Sequence, residues 1–171
     1  MPYPTLVTLR KNQVRKDNTM NIPPRLPPFN QEVAHRFLES TIPSSGLPEF
    51  LGLRTTLVEP GRLRIEMEAD TRLLTRFGNL HGGVLAALCD HALGLVCYPH
   101  MQAGQWAATT EFKLNLLAPV SSGKVIAEAR IVGMTRSTAV VRIDVENHGR
   151  TCGAAQGTVL IMQPKLPKSR D

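Results

Sequence analysis

Three cysteines in 171 residues, Cys89, Cys97 and Cys152, are too few and too scattered for a disulfide framework or a zinc finger. They read as buried, reduced thiols of a reducing compartment, the cytoplasm, with the mitochondrial matrix as the alternative. Aromatics supply only 5% of the chain. No apolar run approaches the ~18 residues of a membrane span, so the sequence predicts no membrane segment. Several catalytic signatures are missing: Gly-x-Ser-x-Gly, Gly-x-Gly-x-x-Gly, a P-loop and His-Glu-x-x-His. The five histidines, His35, His81, His91, His100 and His148, show no metal-ligand spacing, so no metal and no cofactor is expected.

The basic excess is also missing where a nucleic-acid binder would need it. The net charge is +6, yet residues 29–163 hold 12 basic and 12 acidic groups. The surplus sits in residues 1–28 (Arg10, Lys11, Arg15, Lys16 and Arg25 against Asp17) and in residues 164–171 (Lys165, Lys168 and Arg170 against Asp171). A neutral body offers no electrostatic footprint for nucleic acid. The first segment also carries six prolines and no periodicity, which predicts a flexible extension, and the last reads as a basic tail. The prolines argue against the amphipathic helix of a transit peptide. One domain is expected over 29–163.

Within that domain, apolar residues of 31–40 recur at helical spacing. Pro43, Gly46 and Pro48 then read as helix breakers. Strands follow over 53–58 and 63–68, separated by a turn at Glu59-Pro60-Gly61-Arg62. Four more are expected over 107–117, 124–132, 137–147 and 151–162, with a hairpin turn at Asn147-His148-Gly149-Arg150. Val125, Ala127, Ala129 and Ile131 are placed inward, as are Ala139, Val141, Ile143 and Val145. Residues 81–98 are apolar almost all round, the pattern of a helix buried on most sides. The fold class is α+β: a curved antiparallel sheet around one long central apolar helix.

The chemistry concentrates at Gly78-Asn79-Leu80-His81-Gly82-Gly83, which leads into that helix, and at Asp90 inside it. Adjacent glycines at a helix start serve a tight turn, or let another molecule approach the backbone. The first turn has free N–H groups and the positive end of the helix dipole, which suit a developing oxyanion. Asp90, read as lying in apolar surroundings, is a satisfied structural carboxylate or a general base or nucleophile tuned by burial. His91 beside it reads as structural. Gly82 and Asp90 are eight residues apart, about 12 Å along a helix axis, so one chain cannot bring them to one carbonyl. Two copies with antiparallel helices can, so a two-fold dimer is expected if both features are catalytic.

Gly-x-x-His-Gly-Gly followed by six residues and an Asp resembles the hotdog-fold acyl-CoA thioesterases, in particular their PaaI-like branch of phenylacetic-acid degradation. The resemblance extends over 45–162 and includes Leu117-Ala118-Pro119. It implies the hotdog fold, a dimer or dimer of dimers, and hydrolysis of acyl-CoA without a metal or cofactor. It places the activating carboxylate on Asp90, the polarising N–H on Gly82, a supporting His on His81 and a water-positioning hydroxyl on Thr109, with Thr110 beside it. Gly83 belongs to the same substrate-binding turn. Many members carry an Asn six residues before the His; that position is Thr75 here, while Asn79 lies two before. Arg136 and Ser137 match a turn near the pantetheine arm, although a solvated Arg explains Arg136 equally well. Two alternatives accompany this reading. One is a non-catalytic acyl-CoA-binding hotdog module. The other is a hydratase, whose Asp-x-Asn-Pro-x-His pattern the sequence lacks.

Overall fold

The computed structural model describes residues 25–39 and 46–164. Residues 1–24 and 165–171, on which most of the tail expectations fall, lie outside them. Two short helices come first, α1 (Gln31–Glu39) and α2 (Leu47–Phe50). A hairpin of β1 (Arg54–Glu59) and β2 (Arg62–Glu68) follows, then the long helix α3 (Gly82–Leu95). The rest is strand: β3 (Trp106–Leu116), β4 (Lys124–Met134), β5 (Thr138–Asn147) and β6 (Arg150–Met162). All pair antiparallel in one six-stranded sheet of order β1-β2-β4-β5-β6-β3.

The alternation that marks the strands also sets their faces. Val125, Ala127, Ala129, Ile131, Ala139, Val141, Ile143 and Val145 are all buried against α3, as expected. Their neighbours point outward and carry the charges. On that outer face Glu128 receives Arg62 Nε at 3.0 Å and Nη2 at 2.8 Å, Arg64 Nη2 at 2.9 Å, and Arg130. The hairpin turn after β5 holds both His148 (φ 51°) and Gly149 (φ 73°) in the left-handed region, the backbone of a two-residue turn that follows strand twist.

Several expectations change in detail. The first helix ends at Glu39, before the expected breakers; Pro43 lies outside the described residues, and Pro48 opens a new helix, in the first turn of α2, where its missing N–H costs nothing. A 3-10 turn, Thr71–Leu73, is capped by Asp70, whose carboxylate accepts the Arg72 N–H at 2.8 Å. Ordered chain begins before Phe29, because Pro27 is already hydrogen-bonded to His100. The helical stretch Gly82–His100 does reach membrane-span length, 19 residues with a mean hydropathy of 1.3. It is instead the central element of the sheet's inner face, with Leu88, Cys89, Ala92 and Leu93 fully buried. Burial pushes the thiols of Cys89 and Cys97 up to about 12.

Two sheet edges remain. The β1 edge is packed by α1. β3 pairs only with β6, so its other side is open in the single chain.

Candidate active site

The start of α3 is built by its own sequence. His81 is the N-cap residue with extended backbone (φ −65°, ψ 134°), and its Nδ1 accepts the Gly83 N–H at 3.1 Å. That satisfies one of the free donors of a first turn. The backbone of the preceding loop is tied down on both sides: Leu80 N–H donates to Val120 O at 2.6 Å and His81 N–H to Leu73 O at 3.1 Å. The Gly82 N–H has no acceptor among the described residues. The resemblance put the polarising N–H on Gly82; in the structure the Gly83 N–H is occupied and the Gly82 N–H is open.

Gly82 is also where side chains come closest. A Cβ at this position would lie 2.8 Å from Leu116 Cδ1. Leu116, which sequence reasoning missed, joins Leu80, Leu85, Leu117 and Pro119 around Gly82 in an apolar cleft of about 230 Å³. Leu116 and Leu117 are each 56% exposed. The open donor therefore borders apolar surface that none of the described residues covers.

Asp90 corrects the sequence reading. It is exposed in the chain, not enclosed by apolar side chains. α3 buries only the stripe Leu85, Leu88, Cys89, Ala92 and Leu93 against the sheet. The opposite face, with Gly83 and Asp90, is bare. His91, next in sequence, is half-buried, and burial holds its imidazole below the ordinary range while Asp90 pulls the other way.

The strand β3 runs antiparallel to α3. Leu116 lies beside Gly82, and a Cβ on Gly94 would sit 3.9 Å from Ala107 Cβ. Asp90, about two thirds of the way from Gly82 to Gly94 on a rod of constant rise, is therefore level with Thr109 and Thr110. Thr109 pairs with buried Val159 and so faces the helix side. Thr110 is the extra residue of a β-bulge and donates its hydroxyl to Thr158 O at 3.0 Å.

The remaining candidates lie elsewhere. Thr75 accepts the Phe77 N–H on its hydroxyl at 3.3 Å and donates its own N–H to Asn79 O at 2.7 Å, so both belong to the loop before α3. Arg136 and Ser137 are exposed in the β4–β5 turn, where Ser137 N–H donates to Thr135 Oγ1 at 3.2 Å. Within one chain the structure brings His81, Gly82 and Gly83 together, while Asp90 is level with Thr109 along the axis but on the exposed face of α3. The two groups stay about 12 Å apart along the axis.

One apolar helix on the inner face of an antiparallel sheet, with a glycine-rich first turn and a mid-helix carboxylate, is the architecture of the hotdog proteins. Residues 77–154 match the Thioesterase superfamily. The proofreading thioesterase EntH of Klebsiella pneumoniae is 35% identical over 113 residues, 65% of this chain and 82% of that protein. The 1,4-dihydroxy-2-naphthoyl-CoA hydrolase of Listeria monocytogenes is 30% identical over 100 residues, 58% of this chain and 81% of that protein. Among solved structures, a thioesterase from Haemophilus influenzae superposes with a TM-score of 0.65 at 27% identity, covering 70% of this chain and 84% of that one. A phenylacetic acid degradation-related protein from Ralstonia eutropha shares the fold, with a TM-score of 0.66 at 22% identity and coverage of 75% and 98%. The chain belongs to the thioesterase superfamily and is a hotdog-fold thioester hydrolase.

Proposed function

We propose that the protein hydrolyses acyl-CoA to the free acid and coenzyme A, in a site made by two copies of the chain. The observation that carries this reading is the pairing of an open Gly82 N–H with an Asp90 on a bare face of the same helix. A second copy laid antiparallel along that face sets its Asp90 against the first copy's Gly82, twice per dimer. The open edge of β3, the strand that carries Thr109, supports such an assembly.

Gly82 N–H then holds the thioester carbonyl oxygen and stabilises it as negative charge develops. Asp90 of the other copy takes a proton from water as it attacks the carbonyl carbon, or itself attacks to give an anhydride that water opens. Collapse of the tetrahedral intermediate breaks the C–S bond, and the thiolate leaves and is protonated. Thr109 is placed to orient the water, and His81 keeps the helix start in shape. Arg136 and Ser137 are assigned to the coenzyme arm, and no metal or further cofactor is required. The three unpaired thiols support a reducing compartment, which we take to be the cytoplasm.

The test is thiol release from short, medium, long and aromatic acyl-CoA, comparing wild type with Asp90→Asn. Wild type is expected to turn over at least one of them, and the variant to lose on the order of a hundredfold in kcat. Wild-type-like kcat in the variant removes Asp90 from the mechanism.

A further inference from the structure

At the other end of α3 from Gly82, the chain forms an open-mouthed chamber of about 1080 Å³. Its outer wall is the segment Arg25–Asn30, which is tied down at several points. His100 is a polar side chain only 6% exposed. Its Nε2 accepts the Gly61 N–H at 3.0 Å. The proton therefore sits on Nδ1, which donates to Pro27 O at 2.8 Å. The Phe29 ring packs on the imidazole with centroids 5.4 Å apart. Asn30 N–H donates to Pro99 O at 2.7 Å. Leu26 fills the space that a side chain at Gly61 would need, 2.6 Å from that Cβ position. One buried histidine thus fastens a strap to both the β1–β2 turn and the end of the helical stretch.

The strap is held away from the sheet, and the chamber lies between them. Leu26, Phe29, Met101, Met134 and Ile161 give it an apolar lining. Arg25 and Arg136 stand on the same lining and outweigh its one acid, Glu32. A chamber of this size, mostly apolar with a few charged groups, has the make-up of a small-molecule site. Two methionines in the lining adapt to chains of different shape. A neutral ligand would leave the guanidiniums uncompensated, and a bare inorganic anion would leave the apolar lining wet.

We infer that this chamber binds an amphipathic anion, an apolar chain or ring ended by a carboxylate or a phosphate, with His100 as the residue that holds the strap over it. The inference shares Arg136 with the coenzyme arm proposed above and otherwise stands on the chamber, not on the thioester chemistry at Gly82 and Asp90.

Calorimetric titration of the full-length protein with dodecanoate, dodecyl phosphate and dodecanol tests it. Saturable binding of at least one anion is expected, with dodecanol at least tenfold weaker. A preference for dodecanoate identifies a free acid as the ligand type, and a preference for dodecyl phosphate a phosphorylated one. Met134→Trp, which fills the chamber from the sheet, and His100→Phe, which releases the strap but keeps an aromatic ring against Phe29, should each weaken binding at least tenfold. Asp90→Asn should leave the affinity unchanged. The inference is overturned if neither anion binds or if dodecanol binds as well as they do. It is also overturned if affinity follows Asp90→Asn and ignores Met134→Trp. No turnover is read, so this outcome is separate from thiol release.

Discussion

His81 Nδ1 accepts the N–H of Gly83 at 3.1 Å and thereby leaves the N–H of Gly82 as the open donor of the first turn. A side chain that the sequence suggested as a site residue is, in the structure, the cap of the helix that carries the site. Its removal is therefore a stability experiment first. His81→Ala should cost about 1 kcal/mol in urea unfolding, the usual worth of an N-cap. His81→Asn restores a good cap and should recover most of it. If His81→Ala unfolds at the wild-type midpoint, the cap contributes nothing.

Gly82→Ala separates stability from activity. Alanine gains helix propensity of up to about 1 kcal/mol over glycine. Its Cβ also meets Leu116 Cδ1 at 2.8 Å, but that methyl is the exposed tip of a flexible side chain and can move aside. The two effects oppose, so the unfolding free energy should stay within about 1 kcal/mol of wild type. The new methyl occupies the approach to the open N–H, and kcat/KM for the best acyl-CoA should fall at least tenfold. Full activity in a folded Gly82→Ala would remove this N–H from the reaction.

Glu128 gives a pH-dependent term far from the site. The hydrogen bonds from Arg62 act most strongly, with Arg64 and Arg130 adding to them, and they hold its carboxyl at about 2 against the ordinary 4.5. A depressed carboxylate binds fewer protons in the folded than in the unfolded chain. Its contribution is full above pH 4.5 and is lost as pH falls toward 2. Because the cluster lies on the outer face, solvent screening trims the contribution to about 2 kcal/mol. Glu128→Gln should lower stability at pH 7 by that order and flatten the fall in stability between pH 4.5 and pH 2, as followed by denaturant melts across that range. An equally steep acid limb in the variant would place the titrating group elsewhere.

The strands were legible because their code is local. In β4 and β5 every second residue is apolar, and each of those is buried, so alternation alone orients the sheet. The bulge at Thr110 was not legible, since the extra residue is defined only by its partner strand β6. That Pro48 begins a second helix was not legible, because proline ends helices in their interior and begins them in the first turn, and only position decides. Asp90 shows the deeper limit. The composition of α3 reports how much of the helix is apolar, not which molecule covers it. The sequence reading set Asp90 in apolar surroundings, whereas in the single chain the sheet takes one stripe and leaves Asp90 exposed. His100 was weighed only as a metal ligand, and its role as a fastener was not legible, since its partners, Pro27 and Gly61, lie 73 and 39 residues away.

The fixed spacing on α3 has a further consequence under the proposed reading. A helix is a ruler that no side-chain motion shortens, so a single chain owns two unlike halves and no whole. A chain defective at Gly82 and a chain defective at Asp90 fail for complementary reasons. Paired with each other, they contain one intact set and one doubly broken set. Inheritance of function then belongs to the pair: a damaged copy is rescued by a differently damaged companion and never by an identical one.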